Sequence, residues 1–480
     1  MTSERVLDIF KDITTVPRES GHEEQIIAYL LKFAAEHNLD CKIDDTGNVL
    51  IIKEASKGKE NVPVIVLQSH SDMVCEKNEG VEHDFAKDPI KYVIEDGWMI
   101  AKETTLGADC GIGMAAQLAL LESDVPTGRL ECLFTKSEET GMDGAFGLEP
   151  GFITGNTLIN LDSEDEGELF IGCAGGIDTT AEFHYSEMES LSDDYTFRRV
   201  RVFNAMGGHS GDDIDKERAN AVQLLARFLY RLLDKDIRIC SIDGGNKRNA
   251  IAREATAVVA VKNEYLNIAD QEFSDFSQSV KDRYSVSDPN IGFSMEETMP
   301  AKALSADLTV NLVSALYGAP HGVLAMSTEM KGLVETSSNL ASVKMTVSDD
   351  GKNIIRVGTS QRSSINSERR AAADKVESIF KLAGANVYHA SEYPGWKPDT
   401  HSPLLGVCVE SYKRLFGNEP VVRAIHAGLE CGLFLEKYPE LDMISFGPTL
   451  RGVHAPGERL DLASLDKFVD LLLDVVSNYR

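Results

Sequence analysis

The sequence predicts an α/β protein in which one domain, with a mostly parallel sheet, is interrupted by an inserted α+β domain. Strand-like apolar runs alternate with amphipathic helical segments near both ends of the chain. Strands that end in histidine or acidic motifs stop near residue 178, and the α/β alternation resumes near residue 384. A chain of 480 residues also exceeds what one core usually fills. We expect residues 1–178 and 386–480 to form one domain and residues 179–385 to form the inserted one.

The N-terminal region begins with two predicted helices, separated by a Pro- and Gly-containing break at residues 17–21. Alternating strands and helices follow, which favours a parallel sheet. The predicted strands lie at residues 48–52, 64–68, 130–135 and 157–161, with a helix at 111–121.

The inserted segment is predicted to contain two α/β passes of similar size, with no clear sequence repeat between them. Its strands include residues 196–203 and 255–261, and its helices include 219–233 and 368–382. The C-terminal region is predicted to contain a helix at 403–415, a strand at 442–446 and a helix at 462–479.

Composition and charge exclude several classes of protein. The net charge of -29 argues against binding to nucleic acid or to an anionic membrane surface, because both need a basic face. No run of about 20 apolar residues predicts a membrane helix, and charged residues interrupt the first turns where a signal peptide would be apolar. Eight scattered cysteines without C-x-x-C spacing are typical of free thiols. We therefore expect a cytoplasmic protein.

The first chemical motif is the Ser-His-Ser-Asp sequence at residues 69–72, directly after an apolar strand. In a parallel sheet, this position lies where ligands bind. His70 is a candidate metal ligand, and Asp72 is placed to orient its imidazole. A polar loop that merely follows a strand is the alternative.

A second motif is the glycine-rich turn at residues 107–113, which leads into an apolar helix. No lysine follows at the position that a phosphate-binding loop requires, and the turn contains Asp109. Asp109 is either a helix N-cap or a carboxylate shared by two metals. The second reading requires further ligands.

Further candidate ligands follow other predicted strands of the same domain. They are Glu138 and Glu139 after strand 130–135, Asp162 after strand 157–161, and His454 after strand 442–446. Solvated loop acids are the alternative for the glutamate pair. Two imidazoles with several carboxylates favour zinc, with cobalt or manganese as substitutes, over magnesium or calcium. Two metals that share a carboxylate would activate water and polarise a carbonyl, which predicts a hydrolase.

The motifs together resemble a known family. In chain order they read H-S-D, G-A-D-C-G-I-G, S-E-E-T-G, L-D-S-E and H-A-P-G-E. This order is similar to the zinc exopeptidase family of carnosinases, peptidase T, aminoacylases and glutamate carboxypeptidases. The segments HSDMVCEK, NAMGGHSGDDI and AIHAGLECGLF most resemble its aminoacyl-histidine dipeptidase branch, which consists of cytosolic dipeptidases of broad specificity. The resemblance extends from Ser20 to His454.

The resemblance implies a role for each motif residue. Asp109 would bridge two metals, with His70 and Asp162 completing one ligand set and Glu139 and His454 the other. Glu138 would be the general base for a hydroxide that bridges the metals, and Asp72 would support His70. The family also implies a cis peptide bond between Asp109 and Cys110.

In the inserted domain, which the resemblance identifies as a lid, three residues are candidates. His209 lies between glycines and is a turn histidine by residue type alone, but the resemblance implies that it stabilises the oxyanion, in its own subunit or in a partner. Asn249 and Arg362 match positions that contact the substrate carboxylate, although a surface arginine is the ordinary alternative. In the C-terminal part, Glu430 would receive a substrate ammonium group or line the interior. The remaining candidates are ordinary surface or packing residues: His22, His83, His401 and His426.

The sequence therefore predicts a di-metal dipeptidase, with zinc preferred, a broad range of small peptide substrates and activity on aminoacyl-histidine (Xaa-His) dipeptides. An N-acyl amino acid deacylase of the same family is the first alternative. A metal-binding regulator without catalysis is the second, but Glu138 and the complete metal set disfavour it. The native metal, the preferred dipeptide, the number of subunits (a homodimer among the options) and lid closure are left open.

Overall fold

A computed structural model describes residues 1–348 and 350–480. The described residues form twelve α-helices. In chain order these are α1 (Ser3–Ile13), α2 (Glu24–Glu36), α3 (Ala108–Glu122), α4 (Glu138–Gly141), α5 (Asp143–Gly147), α6 (Ala221–Tyr230), α7 (Leu266–Arg283), α8 (Ala306–Gly318), α9 (Asn366–Leu382), α10 (Pro403–Phe416), α11 (Glu430–Lys437) and α12 (Leu462–Asn478).

The strands of the described chain are numbered in the same way. They are β1 (Asp40–Ile43), β2 (Val49–Lys53), β3 (Ile65–His70), β4 (Tyr92–Glu95), β5 (Trp98–Ala101), β6 (Leu130–Thr135), β7 (Thr157–Asn160), β8 (Glu168–Cys173), β9 (Gly175–His184), β10 (Tyr195–Phe203), β11 (Gly208–His209), β12 (Arg238–Gly245), β13 (Ala250–Ile251), β14 (Ala255–Lys262), β15 (Gly292–Glu297), β16 (Gly322–Met326), β17 (Val334–Val347), β18 (Asn353–Ser363), β19 (Asn386–Tyr393), β20 (Val421–Ile425), β21 (Asp442–Ser445), β22 (Leu450–Arg451) and β23 (Arg459–Asp461).

The chain divides into two compact units. Unit 1 contains Met1–Cys173, Trp396–Ala424 and Leu429–Arg480, and unit 2 contains Ala174–Gly395 and Ile425–Gly428. The segment 425–428 thus packs with unit 2, although its neighbours on both sides of the chain belong to unit 1.

Unit 1 is built on an eight-stranded sheet in the order β1-β2-β6-β3-β7-β21-β8-β20. The four central strands β6, β3, β7 and β21 run parallel, whereas β1, β2 and β8 pair antiparallel with their neighbours. All six residues of β3 are buried, as expected for a central parallel strand with both faces covered. The predicted α/β fold with a mostly parallel sheet is confirmed in this central part.

The helices of unit 1 form where local signals favour them. On α1 the buried residues Val6, Ile9, Phe10 and Ile13 form one face. Helix α10 has Ser402 as a side-chain N-cap, proline at its first position and the left-handed Gly417 at its end.

Unit 2 is built on an antiparallel sheet in the order β15-β10-β14-β12-β17-β18-β9-β19, with β16 pairing β17. Helix α6 buries one face in the hydrophobic core of this unit through Leu225, Phe228 and Leu229. Helix α9 does the same with Val376 and Phe380. The structure agrees with the predicted α+β class of the inserted segment.

Candidate metal centre

Three candidate segments meet at one edge of the unit 1 sheet. Strand β3 ends at His70, Asp162 follows β7 by two residues, and Glu138 and Glu139 begin α4 three residues after β6. Because β3 pairs in parallel with both β6 and β7, their carboxyl ends lie at the same edge. Ligand sites form at this edge in parallel sheets.

His70, Asp109 and Asp162 form the first half of the cluster. The Nε2 atom of His70 lies 3.1 Å from Oδ1 of Asp109 and 3.3 Å from Oδ1 of Asp162. The His70 side chain is only 1% exposed. Cys110 belongs to the same cluster, and its thiol donates to the carbonyl oxygen of Leu161 at 3.2 Å.

His454, Asp109 and Glu139 form the second half. The Nε2 atom of His454 lies 3.2 Å from Oδ2 of Asp109 and 2.9 Å from Oε2 of Glu139. The two carboxylate oxygens of Asp109 therefore face different histidines, which is the arrangement that a shared carboxylate between two ions requires. The peptide bond between Asp109 and Cys110 is cis.

Asp72 is placed to orient His70 rather than to bind an ion. Its Oδ1 atom lies 3.3 Å from Nδ1 of His70, on the opposite side of the ring from Asp109. Its carboxylate also accepts hydrogen bonds from the backbone N–H groups of Glu138 at 3.0 Å and Glu139 at 3.2 Å. Burial acts to raise the pKa of Asp72, but His70, the Ser20 hydroxyl and the Glu138 N–H together lower it to about 2. One buried carboxylate thus connects the His70 and glutamate segments.

Glu138 is half-buried beside the cluster, and its carboxylate lies within reach of His70 and Glu139. Burial raises the pKa of Glu138 well above its usual value, while His70 opposes the rise and the charges of Asp162, Glu430 and Glu139 add to it. A carboxyl group with a raised pKa beside a metal cluster is suited to accept and return a proton.

The electrostatics of the cluster fit divalent cations. Burial raises the pKa of Asp162 to about 7, and the nearby charge of Asp109 contributes to that rise. Hydrogen bonds from the two histidines lower the pKa of Asp109, although burial opposes them, and bonds to Asp109 and Glu139 raise the pKa of His454 to about 11. Several carboxylates packed at this depth need positive charge nearby. The donor set of two imidazoles and three carboxylates suits two zinc-type ions.

Two residues of the site were not singled out in the sequence analysis. The hydroxyl of Ser20 donates to Asp72 at 2.7 Å. Glu23 is fully buried, and its Oε1 atom accepts from the backbone N–H of Ser137 at 3.0 Å and from the Ser137 hydroxyl at 2.7 Å. These contacts fix the turn before Glu138. The only sequence signal for them is the segment SGHEE at residues 20–24, where the resemblance begins, and it was assigned no role.

Glu430 begins α11 in the interior of unit 1 and is 1% exposed. Its Oε2 atom accepts from Nε2 of Gln68 at 2.7 Å and from the hydroxyl of Thr135 at 2.9 Å. Burial raises its pKa to about 8, while His70 opposes the rise. Gln68 and Thr135 lie on neighbouring strands that lead to the metal cluster, so Glu430 lies beneath the cluster.

His209 and Asn249 lie in unit 2, close to each other. Strands β11 and β13 pair His209 with Ala250, and the backbone carbonyl of Asn249 accepts from the N–H of Ser210 at 2.9 Å. The Nδ1 atom of His209 lies 3.3 Å from Oδ2 of Asp212. The His209 side chain is 34% exposed, so its ring remains accessible.

Arg362, on β18, is buried in unit 2. Its Nη1 atom donates to the hydroxyl of Tyr393 at 3.2 Å, and its Nε has no hydrogen-bond partner among the described residues. The buried His426 also belongs to unit 2, where its Nε2 lies 2.7 Å from the hydroxyl oxygen of Ser337. Burial lowers the pKa of His426 to about 3, and the positive charge of Arg362 adds to this effect. Because Arg362 is buried, it is not the ordinary surface arginine that the sequence analysis gave as the alternative.

The other three histidines named in the sequence analysis lie apart from these clusters. His22 and His401 are exposed, and the buried His83 packs edge-on against Phe85 with ring centroids 4.4 Å apart.

The chain is similar to known peptidases. The model of peptidase family M20/M25/M40 matches residues 66–478. Cytosol non-specific dipeptidase of Escherichia coli (strain K12) is 40% identical over 472 residues, which cover 98% of this chain and 96% of the relative.

Solved structures agree with this relationship. The aminoacylhistidine dipeptidase of Vibrio alginolyticus superposes with a TM-score of 0.93 at 39% identity, covering 99% of this chain and 96% of that one. The aminopeptidase PepT of Bacillus cereus ATCC 10987 shares the fold with a TM-score of 0.63 at 18% identity, covering 99% of this chain and 98% of that one. With the family model matching most of its length, the chain belongs to peptidase family M20/M25/M40.

Proposed function

We propose that this chain is a di-metal dipeptidase of broad specificity that also cleaves aminoacyl-histidine (Xaa-His) dipeptides. The observation that carries the proposal is the placement of Asp109, whose two carboxylate oxygens lie 3.1 and 3.2 Å from Nε2 of His70 and Nε2 of His454. The names of the Escherichia coli and Vibrio alginolyticus relatives support the choice of dipeptides as substrates.

In this proposal, His70, Asp109 and Asp162 hold one ion, and Asp109, Glu139 and His454 hold the other. The bound ions would polarise the scissile carbonyl and lower the pKa of water, which is the chemistry that di-metal hydrolases use. Zinc fits the donor set best, and cobalt or manganese would substitute. Asp72 fixes the orientation of the His70 imidazole through Nδ1.

Glu138 acts as the general base and then as the general acid. It is half-buried beside the candidate ligands and is left over once each ion has its proposed ligand set. It takes the proton of the attacking water and passes it to the leaving amine, so that the dipeptide is released as two amino acids. The raised pKa of Glu138 matches a group that must hold this proton between the two steps.

Unit 2 supplies the groups that recognise the substrate without binding metal. His209 donates a hydrogen bond to the oxyanion that develops on the attacked carbonyl. Arg362, whose buried Nε has no hydrogen-bond partner among the described residues, would pair with the terminal carboxylate, and Asn249 would contribute a further contact. In unit 1, the Glu430 carboxylate is buried and accepts hydrogen bonds from Gln68 and Thr135, which favours a place in the interior over contact with the substrate ammonium group.

The free thiols support a cytoplasmic location for this chain. All eight cysteines are unpaired in the structure, which fits the reducing cytoplasm. Among the described residues, every helix is too short or too polar to cross a membrane. Strand β16 exposes three apolar side chains that a second copy of the chain could cover in a homodimer: Val323, Leu324 and Met326.

A substrate panel tests the proposal directly. Purified protein loaded with zinc should hydrolyse several unrelated dipeptides, an Xaa-His dipeptide among them, faster than it hydrolyses N-acetyl amino acids. Hydrolysis of N-acetyl amino acids in preference to all dipeptides would instead establish the deacylase alternative. Metal binding without hydrolysis of any member of the panel would support a non-catalytic regulator.

A further inference from the structure

Two buried charged residues, Arg18 and Glu458, flank the loop that carries Asp109. Each is only 2% exposed. Burial lowers the pKa of Arg18, and the negative charge of Glu458 acts against that lowering. The two residues therefore form a long-range pair of opposite charge. Burial of a charge is costly unless hydrogen bonds and an opposite charge compensate it. The contacts of both residues show where this compensation comes from.

Glu458 binds the backbone of the Asp109 loop. Its carboxylate accepts hydrogen bonds from four consecutive N–H groups. The donors are Leu106 at 2.7 Å and Gly107 at 3.0 Å to Oε2, and Ala108 at 2.8 Å and Asp109 at 3.4 Å to Oε1. Successive N–H groups that converge in this way form an anion-binding concavity. The last of these N–H groups belongs to Asp109, so Glu458 fixes the loop backbone as far as the proposed shared ligand.

Arg18 binds the same loop from its carbonyl side. Its Nη2 atom donates to the carbonyl oxygen of Gly107, and its Nη1 atom donates to the carbonyl oxygens of Asp72 at 2.6 Å and Ser71 at 3.4 Å. The close approach needs a glycine, because a Cβ atom at Gly107 would lie 2.4 Å from Nη2 of Arg18. One rigid guanidinium thus joins the loop of Asp109 to the segment of His70 and Asp72.

The segment of His454 is joined to the same loop. Glu458 follows His454 by four residues, and its carbonyl oxygen accepts from the N–H of Ala101 at 2.9 Å. The N–H of Gly457 donates to the carbonyl oxygen of Thr104 at 3.0 Å. The three segments that carry His70, Asp109 and His454 are therefore connected through Arg18 and Glu458.

We propose that Arg18 and Glu458 are positioning residues that hold these three segments in the geometry needed to bind two ions. This inference rests on the proposed metal centre, and neither residue touches the reacting atoms. Groups behind metal ligands typically change metal affinity by about 10–100-fold when they are replaced. A glutamine at position 458 would keep the shape, but its amide nitrogen cannot accept from the loop N–H groups.

The test measures zinc affinity in the full-length protein by competition with a chromophoric chelator, in the absence of substrate. We expect Glu458→Gln to raise the zinc Kd by about 10–100-fold. Glu458→Asp, which keeps the carboxylate, should recover part of the affinity and also serves if the Gln variant does not fold. Arg18→Lys keeps the positive charge but loses the planar fork, and we expect a smaller rise in Kd.

A matched control separates positioning from a general loss of stability. Val476→Ala removes buried apolar volume on α12, away from the loop, and should lower the thermal midpoint of the metal-free protein without changing zinc affinity. An unchanged zinc Kd in Glu458→Gln would overturn the proposal, as would an equal loss in Val476→Ala at a comparable thermal midpoint. Failure of the wild-type chain to bind zinc would reject the metal centre as well. Tight zinc binding without peptidase activity would contradict only the proposed function.

Discussion

Unit 1 and unit 2 place their candidate residues in different ways. In unit 1, five candidate ligands from separate segments converge at the carboxyl edge of a largely parallel sheet, with distances between 2.9 and 3.3 Å. In unit 2, His209, Asn249 and Arg362 lie on antiparallel strands or next to them, and none of them belongs to a group of metal-ligating side chains among the described residues. The candidate metal ligands thus belong to unit 1, and the residues proposed for substrate recognition in unit 2 lie outside any such group.

The candidate residues of the two units also differ in the solvent exposure of their side chains. Glu139 and Asp162 have side chains that are 6% and 9% exposed, which suits carboxylates held in fixed positions as candidate ligands. The His209 side chain is 34% exposed, which suits a group that meets a substrate. Variants in the two units should therefore fail in different ways, by loss of metal or by loss of turnover with the metal retained.

The largest expected effect comes from Asp109→Asn in unit 1. Because we propose Asp109 as the carboxylate shared by both ligand sets, its loss should remove both ions and reduce peptidase activity to background. Elemental analysis after dialysis measures the ions directly. Asp96→Asn, at an exposed turn of the same unit, is the control and should retain them. Two ions per chain in Asp109→Asn would show that the carboxylate does not bridge.

The next effect tests a unit 1 residue that does not bind metal. Glu138→Gln should lower kcat by about 10²–10⁴-fold, because a general acid–base contribution is lost. The metal content should remain that of the wild type. The exposed Glu149→Gln, from the same region of the chain, should have wild-type kcat. Substantial turnover by Glu138→Gln would remove this residue from the mechanism.

In unit 2, His209→Asn should lower kcat by about 10²–10³-fold, the effect expected from the loss of one oxyanion donor. Since the side chain is partly exposed and binds no metal, both zinc content and thermal stability should stay unchanged. His184→Asn, an exposed histidine of the same unit, is the matched control. Loss of zinc in His209→Asn would contradict the division between the two units.

The smallest of the four effects should come from Arg362→Lys, also in unit 2. Loss of the planar fork should raise KM more than it lowers kcat, with kcat/KM falling roughly tenfold or more. Arg356→Lys is a suitable control, because Arg356 lies on the same strand but pairs with Glu182 at 2.8 Å. An Arg362→Lys variant whose KM equals that of the control would exclude recognition of the carboxylate by Arg362.

The sequence predicted the unit 1 fold better than that of unit 2. Strands β3, β6, β7 and β21 were recognisable because buried parallel strands are continuous apolar runs. Strand β17, with the sequence VETSSNLASVKMTV, was not, since its buried positions include Thr336, Ser337, Ser338 and Asn339. Side-chain hydrogen bonds compensate this burial, for example from Gln361 to Ser338, and such long-range partners leave no local pattern in the sequence.

The site shows a similar division. The metal ligands could be found because each follows a recognisable strand or begins a helix. Arg18 and Glu458 could not, because a buried charged residue reads as a surface residue until its partners are known. The position of His426 in unit 2 could not be predicted either, because residues 425–428 lie between two segments of unit 1 along the chain.

The central claim is that two ions, joined by Asp109, are needed for hydrolysis. The most direct measurement is the titration of metal-free protein with zinc while dipeptide hydrolysis is followed. We predict that activity rises to a maximum at two equivalents of zinc per chain, and that Asp109→Asn stays inactive throughout the titration. Full activity in the metal-free protein, or a maximum at a single equivalent, would contradict it.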